Sequence, residues 1–239
     1  MKILVTGGSS GLGRAIVEKL ASKKENEILF TYCRNLKAVE ELNSSFPNTK
    51  GYCVDFTDCQ SINDFIEQLE NIEIDVLVNN AYSGSAQGKR FHQTESEDFL
   101  KAFNDNILPT VRITQACIKG MRKRKFGKIV NIITSYVMDV PPIGFSVYAT
   151  TKAYLRQLSK SISREYASFN ITSNCILPDY MPTTFGQVSD YQLEQMLATH
   201  PLKQLLTPSE AADIVIGVIE ASQQLNGVEI PINAAQHIL

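Results

Sequence analysis

Short apolar, β-branched runs recur along the chain, separated by amphipathic stretches. Residues 3–6, 28–32, 51–54, 76–78, 128–134 and 172–176 read as buried strands, with 228–232 as a seventh. Between them, residues 12–22, 36–45, 61–70, 96–124, 146–168 and 208–222 repeat their apolar positions at helical spacing. Strands alternating with helices, and hardly any hairpin signals, predict an α/β fold with a parallel sheet covered on both faces. Its crossovers should be right-handed. No linker, repeat or low-complexity segment interrupts the pattern, so residues 1–239 are expected to form one domain. Two stretches stand outside it. Residues 83–95 are polar, with Ser83, Gly84, Ser85, Gln87 and Gly88, and read as a loop. Residues 179–207 follow Pro178 and hold Pro182 and Pro201 around a short amphipathic piece at 191–199. A stretch this long beyond a strand's carboxyl end reads as a functional lid.

Composition narrows the class without choosing a chemistry. Hydrophobic content of 44% with 20% charged residues is ordinary for a globular protein. A formal net charge of −2 gives no bulk electrostatic reason to expect nucleic acid or an anionic membrane. No apolar run approaches the ~18 residues of a spanning helix. Residues 1–5 enter a strand pattern at once, which leaves no room for a signal peptide. Cys33, Cys53, Cys59, Cys117 and Cys175 are scattered without C-x-x-C spacing. Reduced thiols in a cytoplasmic protein are expected. His92, His200 and His237 lie far apart and lack metal-ligand spacing, so no metal site is expected and each reads as structural or exposed.

The first strand runs directly into Thr6-Gly7-Gly8-Ser9-Ser10-Gly11-Leu12-Gly13, and a helix follows. Gly7, Gly11 and Gly13 permit a tight turn, close approach of backbone to a pyrophosphate, and close helix-on-strand packing. The helix start supplies unpaired N–H groups and a positive dipole end. Strand–loop–helix is the context that dinucleotide binding requires. The end of the second strand, Phe30-Thr31-Tyr32-Cys33-Arg34-Asn35, has no carboxylate to take a ribose 2′-hydroxyl. Thr31 and Arg34 can instead take a 2′-phosphate, which favours NADP(H) over NAD(H). Otherwise Arg34 is a solvated surface arginine. Asp55, in Val54-Asp55-Phe56, can accept from an adenine amino group or serve as a turn residue. The amides of Asn79-Asn80-Ala81-Tyr82 can tie neighbouring loops together beside the cofactor.

Tyr148 and Lys152 sit four apart in a predicted helix, with Ser135 thirteen residues upstream. Positions four apart share a helix face, so a phenol and an ammonium project side by side. A nearby ammonium favours the phenolate, lowering a phenol pKa from its ordinary value of about 10. A Tyr and a Lys so spaced also occur on any amphipathic face, so the weight comes from the glycine loop. Pro109, inside the 96–124 helix, lacks an N–H and clashes with the carbonyl of Asp105, which predicts a break beside Asn106.

In Thr6–Gly13, Asp55, Asn79-Asn80-Ala81, Asn106, Ser135, Tyr148, Lys152, and Pro178 with Thr183, the chain resembles the short-chain dehydrogenase/reductase family over essentially its whole length. The resemblance implies a Rossmann-like, doubly wound sheet of seven parallel strands, order 3-2-1-4-5-6-7. It implies hydride transfer between a nicotinamide and a carbonyl or hydroxyl. Tyr148 would be the general acid, Ser135 would hydrogen-bond the carbonyl oxygen, and Lys152 would bind the nicotinamide ribose and lower the Tyr148 pKa. Asn106 would hold, through its main-chain carbonyl, a water linking Lys152 to solvent. Cofactor contacts would come from Gly7, Ser9, Ser10, Gly11, Leu12, Gly13, Thr31, Arg34, Asp55, Phe56, Asn80, Ala81, Tyr148, Lys152, Pro178 and Thr183. A sensor or scaffold that only binds NADP(H) would need the glycine loop and Arg34 alone, so the retained Asn106, Ser135, Tyr148 and Lys152 favour an enzyme.

The chain departs from the family's usual pattern at Tyr82 and Asp179, where glycine is common. It looks most like 3-oxoacyl-acyl-carrier-protein reductases, whose carrier partner meets basic residues beside the active-site mouth. Arg122, Lys123, Arg124, Lys125 and Lys128 form a basic cluster expected in that place, although cations at a helix end are favoured in any protein. A free sugar, alcohol or quinone is the alternative substrate. Family helices matching 96–124 and 146–168 pack across a two-fold axis, so a homodimer or homotetramer is expected.

Overall fold

The computed structural model describes residues 1–236 apart from Gln187, so His237 lies outside the described residues. Seven parallel strands, β1 (Lys2–Val5), β2 (Glu27–Tyr32), β3 (Thr49–Cys53), β4 (Val76–Asn79), β5 (Gly127–Ile132), β6 (Ile171–Pro178) and β7 (Glu229–Ile232), form one sheet in the order β3-β2-β1-β4-β5-β6-β7. The helices between them are α1 (Gly11–Ala21), α2 (Leu36–Ser45), α3 (Cys59–Leu69), α4 (Ser96–Ala102), α5 (Leu108–Arg124), α6 (Ser146–Tyr166), α7 (Asp190–Thr199) and α8 (Pro208–Glu220). No helix among the described residues is long and apolar enough to cross a membrane.

Period-two alternation along the strands generates the two helix layers. Ile3 and Val5, Ile28 and Phe30, and Val76 and Val78 point to one face, where residues of α1, α2 and α8 complete a core. Leu4, Leu29, Leu77 and Ile129, the residues in between, point to the other, against α3, α5 and α6. Both positions of each central strand are thus buried, which is why those runs read as continuously apolar. Full burial of each Leu or Ile contributes roughly 1.5–3 kcal/mol. The last strand, β7, is different. It lies at the sheet edge, is half-exposed, and carries Pro231, which only an edge position tolerates.

The predicted 96–124 helix is interrupted. A π-helical turn, Phe103–Ile107, separates α4 from α5, and Pro109 sits in the first turn of α5. There the ring costs no hydrogen bond. The expected break beside Asn106 therefore has the local cause assigned to it, and it takes the form of a widened turn. Within 179–207, α7 starts at a reciprocal cap between Ser189 and Gln192. Residues 83–95 are irregular except for a single 3-10 turn, Phe91–Gln93.

Candidate active site

The glycine loop leaves the carboxyl end of β1 and is tied down on both sides. Gly7 N–H donates to Thr31 Oγ1 at 2.9 Å, and Asn80 Nδ2 donates to the carbonyls of Thr6 (3.0 Å) and Gly7 (3.2 Å). Thr6 Oγ1 accepts the N–H groups of Asn80 and Ala81. A Cβ on Gly13 would lie 2.1 Å from the Gly7 carbonyl oxygen, so only glycine lets the helix approach its own loop. Gly11 has φ +50° and an open face toward Thr183. Ser10 caps α1 without a side-chain hydrogen bond, and no acidic residue occupies the first turn. The first N–H groups of α1 are left for an anion, and this cradle fits the pyrophosphate of a dinucleotide.

From that loop a cavity of about 1180 Å³ runs along the carboxyl ends of the strands. It is bordered by Gly7, Ser9, Ser10, Gly11, Leu12 and Gly13, then by Thr31, Arg34, Asp55 and Phe56, and onward by Asn80, Ala81, Tyr148, Lys152, Pro178 and Thr183. Every residue expected to touch the cofactor thus borders one space. Ser135 and Asn106 do not. Ser135 is 2% exposed at the start of a 3-10 turn following β5, and its Oγ donates to Asp179 Oδ1 at 3.1 Å. Asn106, also buried, joins the 83–95 loop to the π turn: Oδ1 accepts Ser83 N–H at 2.6 Å, and Nδ2 donates to Ser83 O and Ala102 O.

Three expectations need correction. Thr31 is not the exposed group expected: it is buried under the glycine loop at the cavity's edge, and its Oγ1 accepts Gly7 N–H. Arg34 remains as the exposed cation of that end of the cavity. Asp55 does form the turn: Oδ1 accepts both the N–H and the hydroxyl of Thr57, which, with Arg34 nearby, holds its carboxyl below the usual range.

The second correction concerns Tyr148. Lys152 shares its helix face, but the ammonium donates to the Ile132 carbonyl at 2.7 Å and does not depress the phenol. Burial raises the Tyr148 pKa well above its ordinary value, with Tyr82 adding to the rise and a hydrogen bond to Thr134 opposing it. The same burial pulls Lys152 down to about 8.

The third concerns the basic cluster. In a parallel α/β sheet, a helix that leaves one strand's carboxyl end returns to the amino end of the next. Arg122–Lys128 therefore lie at the opposite end of the sheet from the cavity. Several are spent on packing there: Arg124 donates to Ile74 O and pairs with Asp75, Lys128 is buried against the Ile219 and Ala221 carbonyls, and Arg122 lies over the Phe169 ring.

An aromatic wall around Tyr148 was not foreseen. Tyr82 and Phe185 meet it at centroid distances of 5.1 and 6.0 Å, Phe145 meets it at 6.3 Å, and Tyr136 packs on Phe145. Tyr82 also lies under the Lys152 ammonium at 5.4 Å, and burial pushes its own phenol up to about 12. These rings come from separate segments, and only Tyr82, in place of a usual glycine, gave a signal in the sequence. Among the described histidines, His92 is exposed and His200 is buried, with Nδ1 accepting Leu202 N–H. No metal-binding cluster occurs among the described residues, and all five cysteines are free.

A dinucleotide cradle opening onto a Tyr–Lys face marks an oxidoreductase of the nicotinamide type. The pattern of the short chain dehydrogenase family matches residues 1–193, and the chain belongs to that family. It is 33% identical over 237 residues to the 3-oxoacyl-acyl-carrier-protein reductase FabG of Aquifex aeolicus, covering 96% of this chain and 94% of that one. It is 31% identical to the Escherichia coli K12 protein of the same name, covering 99% and 97%. A crystal structure of a candidate gluconate dehydrogenase from Agrobacterium tumefaciens superimposes with a TM-score of 0.89 at 27% identity, covering 100% and 96%. The protein is an NAD(P)-dependent oxidoreductase acting on C=O or CH–OH groups.

Proposed function

We propose that this enzyme reduces a ketone to a secondary alcohol with NADP(H), Tyr148 giving the proton. The observation that carries the reading is that Tyr148 and Lys152 project from one face of α6 into the cavity opened by the glycine loop. Arg34, with no carboxylate beside it on the last turn of β2, supports NADP(H) over NAD(H). The bound nicotinamide would supply the hydride. Tyr148 would donate its phenolic proton to the oxygen of the carbonyl being reduced. Ser135 would steady that oxygen once its hydroxyl turns from Asp179 toward the cavity, and Lys152, cationic below about pH 8, would hold positive charge beside it. Asn106 would hold a water behind Lys152. Its carbonyl accepts Thr110 Oγ1 at 2.7 Å, which leaves a second lone pair for that role.

Residues 179–207 would act as the lid of this one-domain chain, supported by Tyr180, Met181, Phe185, Gln192 and Met196 bordering the cavity. The names of the relatives support a 3-oxoacyl thioester on a carrier protein as substrate. The basic cluster gives that partner no docking site at the mouth, which favours a free small-molecule ketone as the second reading. Exposed Leu108 on α5 and Tyr154 on α6 support a homodimer or homotetramer through those helices. Tyr148→Phe tests the mechanism. Turnover should fall by roughly 10²–10⁴-fold, while NADPH binding, read by nicotinamide fluorescence, changes little. Unchanged turnover would overturn it.

A further inference from the structure

Asp179 places a carboxylate against the hydroxyl assigned to the substrate carbonyl. Its Oδ1 accepts Ser135 Oγ at 3.1 Å and the Tyr180 N–H at 2.9 Å. No ion pair neutralises it among the described residues. Asp179 also stands at a junction. It borders the main cavity and a smaller one of about 170 Å³, shared with Tyr136, Tyr180 and His200. That space equals roughly six waters at about 30 Å³ each. His200 Nδ1 accepts the Leu202 N–H at 3.1 Å, so the neutral ring carries its own proton on Nε2. The smaller cavity is therefore walled by a carboxylate acceptor and by Tyr136 and His200 as donors, the Tyr180 hydroxyl being given to Gly186 O at 2.7 Å.

This arrangement bears on which ketone reacts. Ser135 has one proton, and the carboxylate takes it. A plain ketone brings no proton of its own and must draw that one away from a charged acceptor. A ketone with a hydroxyl on the adjacent carbon donates that hydroxyl to the carboxylate, whose two oxygens have room for a further donor, and so weakens its hold on the Ser135 proton. An anionic group on the substrate would meet the same carboxylate as a like charge. We propose that Asp179 is a specificity-determining residue that selects neutral ketones bearing a hydroxyl on the neighbouring carbon, the smaller cavity taking the hydroxylated end. The proposal rests on the ketone-reductase reading and deepens it.

The test compares 2-hydroxycyclohexanone with cyclohexanone, using NADPH and the whole enzyme. A charge-assisted hydrogen bond implies a kcat/KM preference of roughly 10- to 100-fold for the hydroxylated ketone. In Asp179→Gly the preference should fall to within about twofold, through a gain on cyclohexanone, which no longer competes with a carboxylate for the Ser135 proton, together with a loss of the hydroxyl contact of the other ketone. Asp179→Asn, which keeps the shape and a neutral acceptor, should retain part of it and serves if the glycine variant does not fold. No preference in the parent enzyme, or an undiminished one in both variants, overturns the proposal. Equilibrium binding of the two ketones to the NADP⁺-loaded protein separates it from the reading beneath it. A binding preference without turnover refutes the reductase and keeps Asp179, turnover without preference does the reverse, and neither refutes both.

Discussion

Lys152 carries its charge in a place that opposes charge, and the cost should be measurable. Its ammonium is fully buried and burial lowers its pKa from 10.5 to about 8. At about 1.4 kcal/mol per pKa unit, keeping it protonated costs the folded protein roughly 3 kcal/mol. The sign follows from proton counts. Between pH 8 and 10.5 the unfolded chain binds more protons at this residue than the folded one, so stability rises with pH there. Below about 8 the penalty is felt in full, and above 10.5 it is gone. Lys152→Met removes the group. It also orphans the Ile132 carbonyl, at a cost of about 1–3 kcal/mol that does not depend on pH. The diagnostic quantity is therefore how the melting-temperature gap between variant and parent changes with pH. For a chain of this size the gap, variant minus parent, should fall by roughly 6–12 °C between pH 7 and pH 10.5, from near zero or positive to negative. Both proteins are melted without cofactor at one concentration, so all other titrations cancel. A gap that stays constant over this range would show that Lys152 titrates as an exposed lysine and that its site is wet.

Two further substitutions address the cofactor end. Arg34→Ala should lower kcat/KM for NADPH by about 10- to 100-fold, the loss of a charge-assisted contact, while leaving NADH almost unaffected. A parent enzyme that uses NADH equally well would remove the basis of that assignment. Gly13→Ala puts a Cβ 2.1 Å from a backbone carbonyl and 2.6 Å from Asn80 Nδ2. It should cost at least about 1–3 kcal/mol by thermal melting. Gly217→Ala, at an exposed position of α8 with nothing within 4 Å, should instead stabilise by about 0.5–1 kcal/mol.

Much of the sheet was legible because each central strand buries both faces, which leaves an unbroken apolar run. The glycine loop was legible because the steric demand that selects Gly13 is local, arising from Gly7 six residues away. The break at Asn106 was legible from the ring of Pro109. What escaped depends on where distant segments meet. Helical spacing put Tyr148 and Lys152 on one face, but the dryness that separates their pKa values comes from Tyr82, Phe145 and Phe185. The contact between Ser135 and Asp179 spans 44 residues. The basic run ending α5 was visible as a run, yet only the strand direction shows that it faces away from the cavity.

The opposed displacements of Tyr148 and Lys152 bear on the protonation state in which the enzyme rests. A phenol whose pKa is raised by burial stays protonated throughout the neutral range. For reduction that is the required state, because the proton acceptor is an alkoxide, a far stronger base than a phenolate, and the transfer remains downhill. For oxidation the phenol must first lose its proton inside an aromatic chamber, where the charged form is penalised by the burial that raised the pKa. Lys152 would offset part of that penalty while it is itself charged, below about pH 8. Raising the pH to create phenolate would therefore discharge the cation meant to stabilise it. As placed, the two groups would keep the resting enzyme in the protonated form that reduction consumes, while the balance of ketone and alcohol is set by the cofactor pair, which no catalyst shifts.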